Sequence, residues 1–224
     1  MLEQLNQGRK YRPIDGNIIL DISARSGAIK DATGRQVRNM GVTPSTAVMR
    51  NGNPSMYFNG SQYMTVPNTD GSLWFPGKFC IDFWFYLISK TGTFPTLFGN
   101  YDTWPNINGM QLFAGHNTSG ANTNKFLAAI ASTFPTLNTG VNIPYGSWHH
   151  YATERTANNV ITNYIDGVAN GTFTTSNALF GSKSVVCFGY PSDDKTSGGL
   201  NGYLDRVRIT NDSRFNGPFT PPTF

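Results

Sequence analysis

The run from residue 79 to residue 87 constrains the fold more than any other feature of the chain. It reads FCIDFWFYL, and every second position is apolar. Side chains of a β-strand point alternately to the two faces of its sheet, so one face of this strand is predicted to be buried. That face carries Phe79, Ile81, Phe83, Phe85 and Leu87. The opposite face carries Cys80, Asp82, Trp84 and Tyr86, which fits a central strand covered on both sides.

Short apolar or alternating runs recur along the whole chain, whereas helical periodicity is almost absent. The further strand candidates are Asn17–Ile22, Ser55–Phe58, Gln62–Val66, Thr96–Asn100, Met110–Ala114, Phe126–Ala131, Trp148–Arg155, Val160–Asp166, Ser184–Tyr190 and Gly202–Thr210. Asn59-Gly60 and Asp166-Gly167 predict two hairpin turns, because both pairs tolerate positive φ angles. Many short strands without intervening helices predict an all-β, antiparallel two-sheet sandwich. Its core should also contain Ile165, Val207 and Ile209.

Composition and charge exclude several classes of function. Residues 1–50 carry eight Lys and Arg against four acidic residues, which leaves nine of each sign in residues 51–224. A neutral body has no basic stripe for a phosphate backbone, so nucleic-acid binding is not expected. No apolar run approaches the roughly 18 residues that cross a bilayer, and the charged N-terminus does not resemble a signal peptide. Cys80 and Cys187 lie in apolar runs, which favours buried thiols over a disulfide.

Four segments, taken in order, resemble the laminin-G-like branch of the concanavalin A-like lectin and glucanase jelly rolls. They are SMYFNGSQYMTVPN, FCIDFWFY, SWHHYATERTANNVITNYIDG and GLNGYLDRVRITNDSRFNGPFTPPTF. The ending, LDRVRIT followed by FTPPT, is similar to domains of bacteriophage structural proteins. The resemblance covers residues 17–224 and implies a jelly roll in a virion decoration, fibre or tail component. Residues 1–16 precede it as an N-terminal arm. Such folds carry many functions, so the ligand must be argued from sites.

The sequence predicts neither a metal centre nor a ligand-binding surface within its strands. His149 and His150 are neighbours in a strand and point to opposite faces, so they cannot share one metal ion. Asp205 resembles a position that is usually acidic in the family, where its carboxylate would bond backbone groups of a neighbouring loop; Ca²⁺ ligation is the alternative. No other cofactor is expected. Trp84 and Trp148 lie in strand runs, which predicts packing in the core.

Catalysis is not expected, because the carboxylates are few and far apart. The glucanases that the chain resembles use paired carboxylates, since one donates a proton while the other attacks. This chain has only two glutamates, Glu3 and Glu154, and its one acid in the run 79–87 is Asp82. G-x-S-x-G and phosphate-loop motifs are also missing. A polysaccharide hydrolase is therefore the less favoured alternative to a binding module.

Polar loops with embedded aromatic residues are the predicted glycan site, since sugars need a flat apolar surface and partners for their hydroxyl groups. The candidates are Tyr101, Asp102, Trp104, Asn106, His116, Tyr190 and Asp193. Trp104 precedes a proline and so falls in a turn, although it could instead cap the core. We expect a non-catalytic module that binds a glycan or another surface. The alternative is a purely structural virion protein that binds other capsid or fibre subunits, and either protein could form a homo-oligomer. The expected location is the virion; the alternative is extracellular, by a non-classical route.

The N-terminal arm is the predicted contact with a virion partner. Its basic and aromatic residues are Arg9, Lys10, Tyr11 and Arg12. Positive charge beside apolar side chains suits docking on an acidic protein surface, because opposite fields speed the encounter. The alternative is a disordered terminus without a partner.

Overall fold

The computed structural model describes residues 18–89, 95–100, 109–114, 125–130, 133–142, 145–179, 185–190 and 198–223. These residues form sixteen β-strands in two antiparallel sheets and one short 3₁₀ helix, Ser72–Trp74. The predicted all-β sandwich is therefore confirmed. Among the described residues, no helix has the length and apolar character that a membrane crossing requires.

The larger sheet contains nine strands. They are β1 (Ile18–Ser23), β2 (Lys30–Asp31), β4 (Thr43–Arg50), β5 (Asn53–Asn59), β7 (Phe79–Ser89), β12 (Trp148–Arg155), β13 (Val160–Ile165), β14 (Val168–Thr174) and β16 (Asn201–Thr210). Their order in space is β14-β13-β12-β7-β16-β1-β2. Two strands pair with the same edge of β16: β5 pairs with its first half and β1 with its second half. Strand β4 pairs with β5.

The smaller sheet contains seven strands. They are β3 (Arg38–Met40), β6 (Tyr63–Pro67), β8 (Thr96–Gly99), β9 (Met110–Ala114), β10 (Lys125–Ile130), β11 (Thr133–Asn142) and β15 (Val185–Phe188). Their order is β11-β10-β9-β8-β15-β6-β3. Every predicted strand is present; β2, β3, β4 and β11 were not expected, and β14 was implied only by the hairpin turn at Asp166-Gly167.

One hydrophobic core fills the space between the sheets, and the predicted register is correct. The predicted core residues that it contains are Phe79, Ile81, Phe83, Phe85, Ile165, Val207 and Ile209. Burial of each such side chain stabilises the fold by roughly 1.5–3 kcal/mol, so slippage by one residue would be very costly. Neither Cys80 nor Cys187 forms a disulfide, and both are buried as predicted. Burial raises the pKa of the Cys80 thiol well above its ordinary value.

The two predicted turns differ in what they connect. Asp166 and Gly167 have φ angles of 50° and 79° and join β13 to β14, so this hairpin is confirmed. The Asn59-Gly60 prediction is wrong, because this turn carries the chain from β5 in the larger sheet to β6 in the smaller one. Gly60 does have a positive φ angle, 93°. A tight reversal requires that conformation whether or not the flanking strands pair.

A candidate ligand-binding face

Four aromatic side chains form a row across four adjacent strands. They lie on the outer face, which is the face of the larger sheet that points away from the core. Trp148 of β12 pairs with Tyr86 of β7, Tyr86 pairs with Tyr203 of β16, and Tyr203 pairs with Tyr57 of β5. Successive ring centroids are 5.7, 5.8 and 5.1 Å apart. We call these four residues the aromatic row.

The aromatic row is partly open to solvent and carries three phenol hydroxyl groups. Trp148, Tyr86 and Tyr57 are half-buried, and Tyr203 is 6% exposed. Within the described residues, the three tyrosine hydroxyls have no hydrogen-bond partner, unlike most buried phenols. The row therefore combines apolar ring surface with polar groups that are available to a ligand.

Exposed apolar residues border the aromatic row. Met49, Ile88 and Tyr145 are 48%, 45% and 39% exposed. The backbone carbonyl of Met49 accepts a hydrogen bond of 3.1 Å from Trp148 Nε1. Ile88 lies two residues after Tyr86 on β7, and Tyr145 precedes Trp148 by three residues. Met49 thus contacts the row, and Ile88 and Tyr145 lie near its members in sequence; exposed apolar residues close together are typical of interaction sites.

Beside the row, a buried ion pair fixes the hairpin formed by β4 and β5. Arg50 Nε donates to Asp205 Oδ2 over 2.8 Å, and Arg25 Nη2 lies 3.3 Å from the same oxygen. The Arg50 guanidinium also stacks over the Trp84 ring, 4.5 Å from its centroid. Burial lowers the pKa of Arg50, although Asp205 opposes the shift.

The predicted role of Asp205 is therefore wrong: its carboxylate binds guanidinium groups and not loop backbone. Side chains far apart in sequence supply its partners, which the local sequence could not reveal. Two cations beside one carboxylate do not suit a Ca²⁺ ion, which needs several oxygen ligands. In the part of the chain that the structure describes, no group of three or more His, Cys, Asp or Glu side chains could hold a metal ion.

The C-terminal segment, residues 211–223, closes the other half of the outer face. The buried Glu154 carboxylate accepts three backbone N–H groups, from Arg214, Phe215 and Asn216, over 2.8, 2.9 and 2.7 Å. The rings of Phe215 and Phe219 stack 3.5 Å apart. Both rings contact His150 and Tyr164 of the sheet edge-on. This half of the face is sealed.

Asp82 anchors the same segment from below. Its carboxylate accepts hydrogen bonds from Arg208 over 2.7 Å and from Arg214 over 2.6 Å, and His150 Nε2 lies 3.3 Å away. Burial alone would raise the pKa of Asp82, but Arg208, His150 and Arg214 hold it below its ordinary value. Asp82 and Glu154 are thus fully buried and occupied by contacts within the fold.

The two strand tryptophans do not lie in the core, so the sequence-based prediction for them is wrong. Both occupy outer-face positions: Phe83 and Phe85, the neighbours of Trp84, lie in the core, and Trp148 pairs with Tyr86 of the outer face. Trp84 is half-buried and its Nε1 donates to the Pro222 carbonyl over 3.3 Å, whereas Trp148 belongs to the aromatic row. A strand position alone does not distinguish a core residue from one on a covered outer face.

Most of the glycan-site residues predicted from the sequence lie outside the described residues. These are Tyr101, Asp102, Trp104, Asn106, His116 and Asp193, together with Arg9, Lys10, Tyr11 and Arg12 of the arm. Tyr190 is described; it is 9% exposed and contacts Tyr63 edge-on at 6.0 Å.

The directions of β8 and β15 fix where Tyr190 lies relative to Asn100. Strand β15 runs antiparallel to β8, so Tyr190 follows β15 at the end of the sheet where β8 begins. Asn100, which precedes Tyr101, lies at the opposite end of β8. The described residues therefore place Tyr190 and Asn100 at opposite ends of β8.

Sequence reasoning missed the aromatic row, although each member lies within or beside a predicted strand. Tyr86 was assigned to the face opposite the core, and the same alternation places Trp148, Tyr203 and Tyr57 on that face. The missing information was the register between strands that are distant in sequence. Only the pairing between these strands shows that the four rings are aligned.

A polar cleft of about 540 Å³ lies at the other end of β7. Lys78, Asp212, Ser213, Asn216 and the turn 156–158 line it. Lys78 Nζ and Asp212 Oδ1 form an ion pair of 2.5 Å, and this contact lowers the pKa of Asp212. The cleft has no aromatic wall, so it lacks the stacking surface that the aromatic row provides.

Comparison with proteins of known structure agrees with the fold. Domain 4 of an extracellular GH43 arabinanase from Geobacillus stearothermophilus, solved with arabinotriose, is 17% identical with a TM-score of 0.64; the match covers 87% of this chain and 92% of that one. The binding domain of botulinum neurotoxin DC, solved with SialylT, is 14% identical with a TM-score of 0.58. The binding domain of Paraclostridial Mosquitocidal Protein 1 is 17% identical with a TM-score of 0.59.

Both toxin matches cover 88% of this chain, but only 48% and 49% of the toxin binding domains. The chain thus spans about half the length of those proteins. No curated protein sequence matches the chain. The sequence profile of the concanavalin A-like lectin/glucanases superfamily matches residues 58–215. This range is most of the sandwich, from β5 to the C-terminal segment, and the chain belongs to the concanavalin A-like lectin/glucanase superfamily.

Proposed function

We propose that this protein is a non-catalytic carbohydrate-binding module that uses the aromatic row to hold a glycan. The observation that carries the proposal is the alignment of Trp148, Tyr86, Tyr203 and Tyr57 on an open part of the outer face. Ring faces can stack against the C–H groups of a sugar, and phenol hydroxyls can bond its hydroxyl groups. A few polar groups placed on a mainly apolar surface are typical of small-molecule sites.

Related folds support a carbohydrate as the ligand class. The arabinanase domain was solved with arabinotriose, and one neurotoxin binding domain was solved with SialylT. Another structure describes two ganglioside molecules in the cell entry of botulinum neurotoxin type C. Identities of 13–17% do not carry a ligand across to this chain. They supply a first panel of glycans to test.

The absence of catalysis is part of the proposal. A retaining or inverting glycosidase needs two carboxyl groups that both reach the substrate. Asp82 and Glu154 are fully buried, and their oxygens already accept hydrogen bonds from Arg208, Arg214 and the backbone of the C-terminal segment. Neither carboxylate is placed to protonate or attack a glycosidic bond.

The proposed setting is a bacteriophage virion, as a capsid decoration, fibre or tail component. The LDRVRIT and FTPPT segments support it through their similarity to phage structural domains. In this setting the arm carrying Arg9, Lys10, Tyr11 and Arg12 would contact another virion protein, and the sandwich would face outward. Mass spectrometry of purified particles would test the setting, and a protein absent from particles would contradict it.

The binding proposal is tested by affinity electrophoresis and a glycan array. The panel contains debranched arabinan, sialylated oligosaccharides and bacterial surface polysaccharides. Trp148→Ala and Tyr86→Ala should each weaken binding by about tenfold or more, since each removes stacking surface worth roughly 1.4 kcal/mol. Trp74→Ala is the matched control, because Trp74 is 41% exposed but lies in the 3₁₀ helix away from the row.

Three outcomes are distinguishable. Loss of binding in the row variants alone supports the proposed site. Loss in Trp104→Ala with unchanged binding in Trp148→Ala would move the site to the loops predicted from the sequence. A protein that is found in particles but retains no glycan would favour the purely structural virion role.

A further inference from the structure

We infer that Arg50 is a positioning residue of the ligand site: it anchors the hairpin of β4 and β5 over the outer face, so that the Met49 carbonyl fixes the Trp148 ring. The inference rests on the proposed function, because the site that it serves is the aromatic row. Arg50 is only 5% exposed, which leaves it little surface for contact with a ligand. Its effect passes through Met49.

The path of the hairpin places its tip above strands with which it does not pair. Strands β4 and β5 pair at Thr43–Tyr57 and Ser45–Ser55, and the pairing is then irregular until Arg50 meets Asn53. Arg50 nevertheless stacks on Trp84 of β7, and Met49 bonds to Trp148 of β12. These strands are two and three places from β5 in the sheet, about 10–14 Å away at the usual spacing. The hairpin therefore leaves the edge and crosses the outer face.

Buried contacts hold the tip in that place. Asp205 is fully buried, and its carboxylate is 2.8 Å from Arg50 Nε. Residues Asn51 and Gly52 close the hairpin with φ angles of 50° and 75°, which fit a type I′ turn. Because this turn is tight, a fixed Arg50 also fixes the neighbouring Met49 backbone.

The contact between Met49 and Trp148 links this anchor to the ligand site. An indole N–H has one hydrogen to donate, and Trp148 donates it to the Met49 carbonyl over 3.1 Å. This bond restricts rotation of the half-buried ring beside Tyr86. A platform that is ordered before the ligand arrives loses less entropy on binding.

The first test follows the Trp148 indole N–H directly by NMR, in full-length protein labelled with ¹⁵N-tryptophan and without any glycan. Trp148→Phe assigns its signal among the four tryptophans. Arg50→Met should accelerate hydrogen exchange at Trp148 by about tenfold or more and leave Trp74 unchanged, while Arg50→Lys should give an intermediate rate. Unchanged exchange at Trp148 in a folded Arg50→Met protein would overturn the inference.

The second test measures binding to the best-retained polysaccharide of the panel, with debranched arabinan used first. Arg50→Met should weaken retention by about tenfold, and Arg50→Lys should recover part of it. Arg35→Met is the matched control, since Arg35 pairs with Asp70 and Ser72 and holds no part of the hairpin. Equal weakening by Arg35→Met would show a general loss of stability and contradict a positioning role.

The two proposals fail in different ways. If Trp148→Ala binds as well as the unmodified protein, the proposed function is wrong at this site, whatever the exchange rates show. If Trp148→Ala abolishes binding while Arg50→Met frees the indole but binds normally, the row is the site and Arg50 does not position it.

Discussion

The two halves of the outer face are built from the same strands, but one half is covered by the C-terminal segment and the other is open to solvent. In the sealed half, Asp82 and Glu154 hold the C-terminal segment and its rings pack on the sheet. In the open half, Tyr57, Tyr86 and Trp148 of the aromatic row remain half-exposed. In both halves, every second side chain of a strand points away from the core and onto the outer face. The difference comes from which later segment of the chain returns to cover them.

This comparison shows a structural role for the buried acidic residues of the sealed half. In the sequence, Glu154 stands alone beside Arg155, without a second carboxylate at the spacing that a glucanase uses. In the structure it is a cap for three consecutive backbone N–H groups. The aromatic row is available for a ligand because the C-terminal segment does not cover it, although the hairpin of β4 and β5 bonds the Trp148 indole N–H.

Asp82→Asn should have the largest effect on the sealed half. It removes the charge that compensates Arg208 and Arg214, and loss of one partner from a buried ion pair costs about 3–5 kcal/mol. Urea unfolding measures the change in the free energy of unfolding. Asp70→Asn is the control, because Asp70 is largely exposed in its pair with Arg35 and should cost less than about 1 kcal/mol. Equal losses would mean that the buried network does not hold this half together.

Gly167→Ala should rank next, because the new Cβ would lie 1.7 Å from the Phe219 carbonyl oxygen. Together with the positive φ angle of 79°, this should cost about 2–3 kcal/mol and loosen the C-terminal segment. Gly27→Ala has a similar φ angle, 75°, but nothing within 4 Å of its Cβ. Thermal unfolding should therefore show a clearly smaller loss for Gly27→Ala. Similar losses of stability in the two variants would mean that backbone strain causes the whole effect and that the contact with Phe219 adds nothing.

Acid should weaken the sealed half through Asp82. Arg208, His150 and Arg214 keep the pKa of this buried carboxyl below its ordinary value despite the opposing effect of burial. Its contribution is therefore complete above the unfolded pKa of about 3.9 and is lost as the pH falls below that value. Between pH 5 and pH 2 the free energy of unfolding should fall by about 1–2 kcal/mol from this group. The Asp82→Asn protein should show a flatter profile, and an equal slope in both proteins would contradict this assignment.

Trp148→Ala should have the smallest effect on stability. Trp148 is half-buried on the outer face and outside the core cluster, so its loss should cost about 1 kcal/mol or less. Phe83→Ala is the matched comparison and should cost about 3–5 kcal/mol, because Phe83 is fully buried in the core. Differential scanning calorimetry of the two variants measures this contrast. A cost above about 3 kcal/mol for Trp148→Ala would mean that Trp148 supports the fold as a core residue does.

The sequence predicted the core better than the outer face for a physical reason. Phe79 to Leu87 alternate locally, and local alternation fixes which side chains meet the core. Strand β4 was missed because its sequence, TPSTAVMR, has weak alternation and is mostly exposed. Strands β11 and β14 were missed because Pro135 and Gly171 interrupt sequences that are otherwise rich in strand-forming residues.

The candidate site could not be predicted, because it depends on contacts between distant residues. Tyr57 and Tyr203 are 5.1 Å apart in space and belong to the first and last quarters of the domain. The ion pair of Arg50 and Asp205 also joins residues that are distant in the sequence. The aromatic content of the loops led the sequence analysis towards Trp104, since exposure in a turn is easier to infer than exposure on a sheet.

Hydroxyl-radical footprinting with and without the bound polysaccharide tests the central claim most directly. Oxidation of each aromatic and methionine side chain is measured by mass spectrometry, so the open and sealed halves are compared in one sample. We predict protection of Met49, Tyr86 and Trp148 by the glycan, with no change at Phe215 and Phe219. Protection confined to Trp74 or to residues 101–106, with unchanged oxidation at Trp148, would contradict the account.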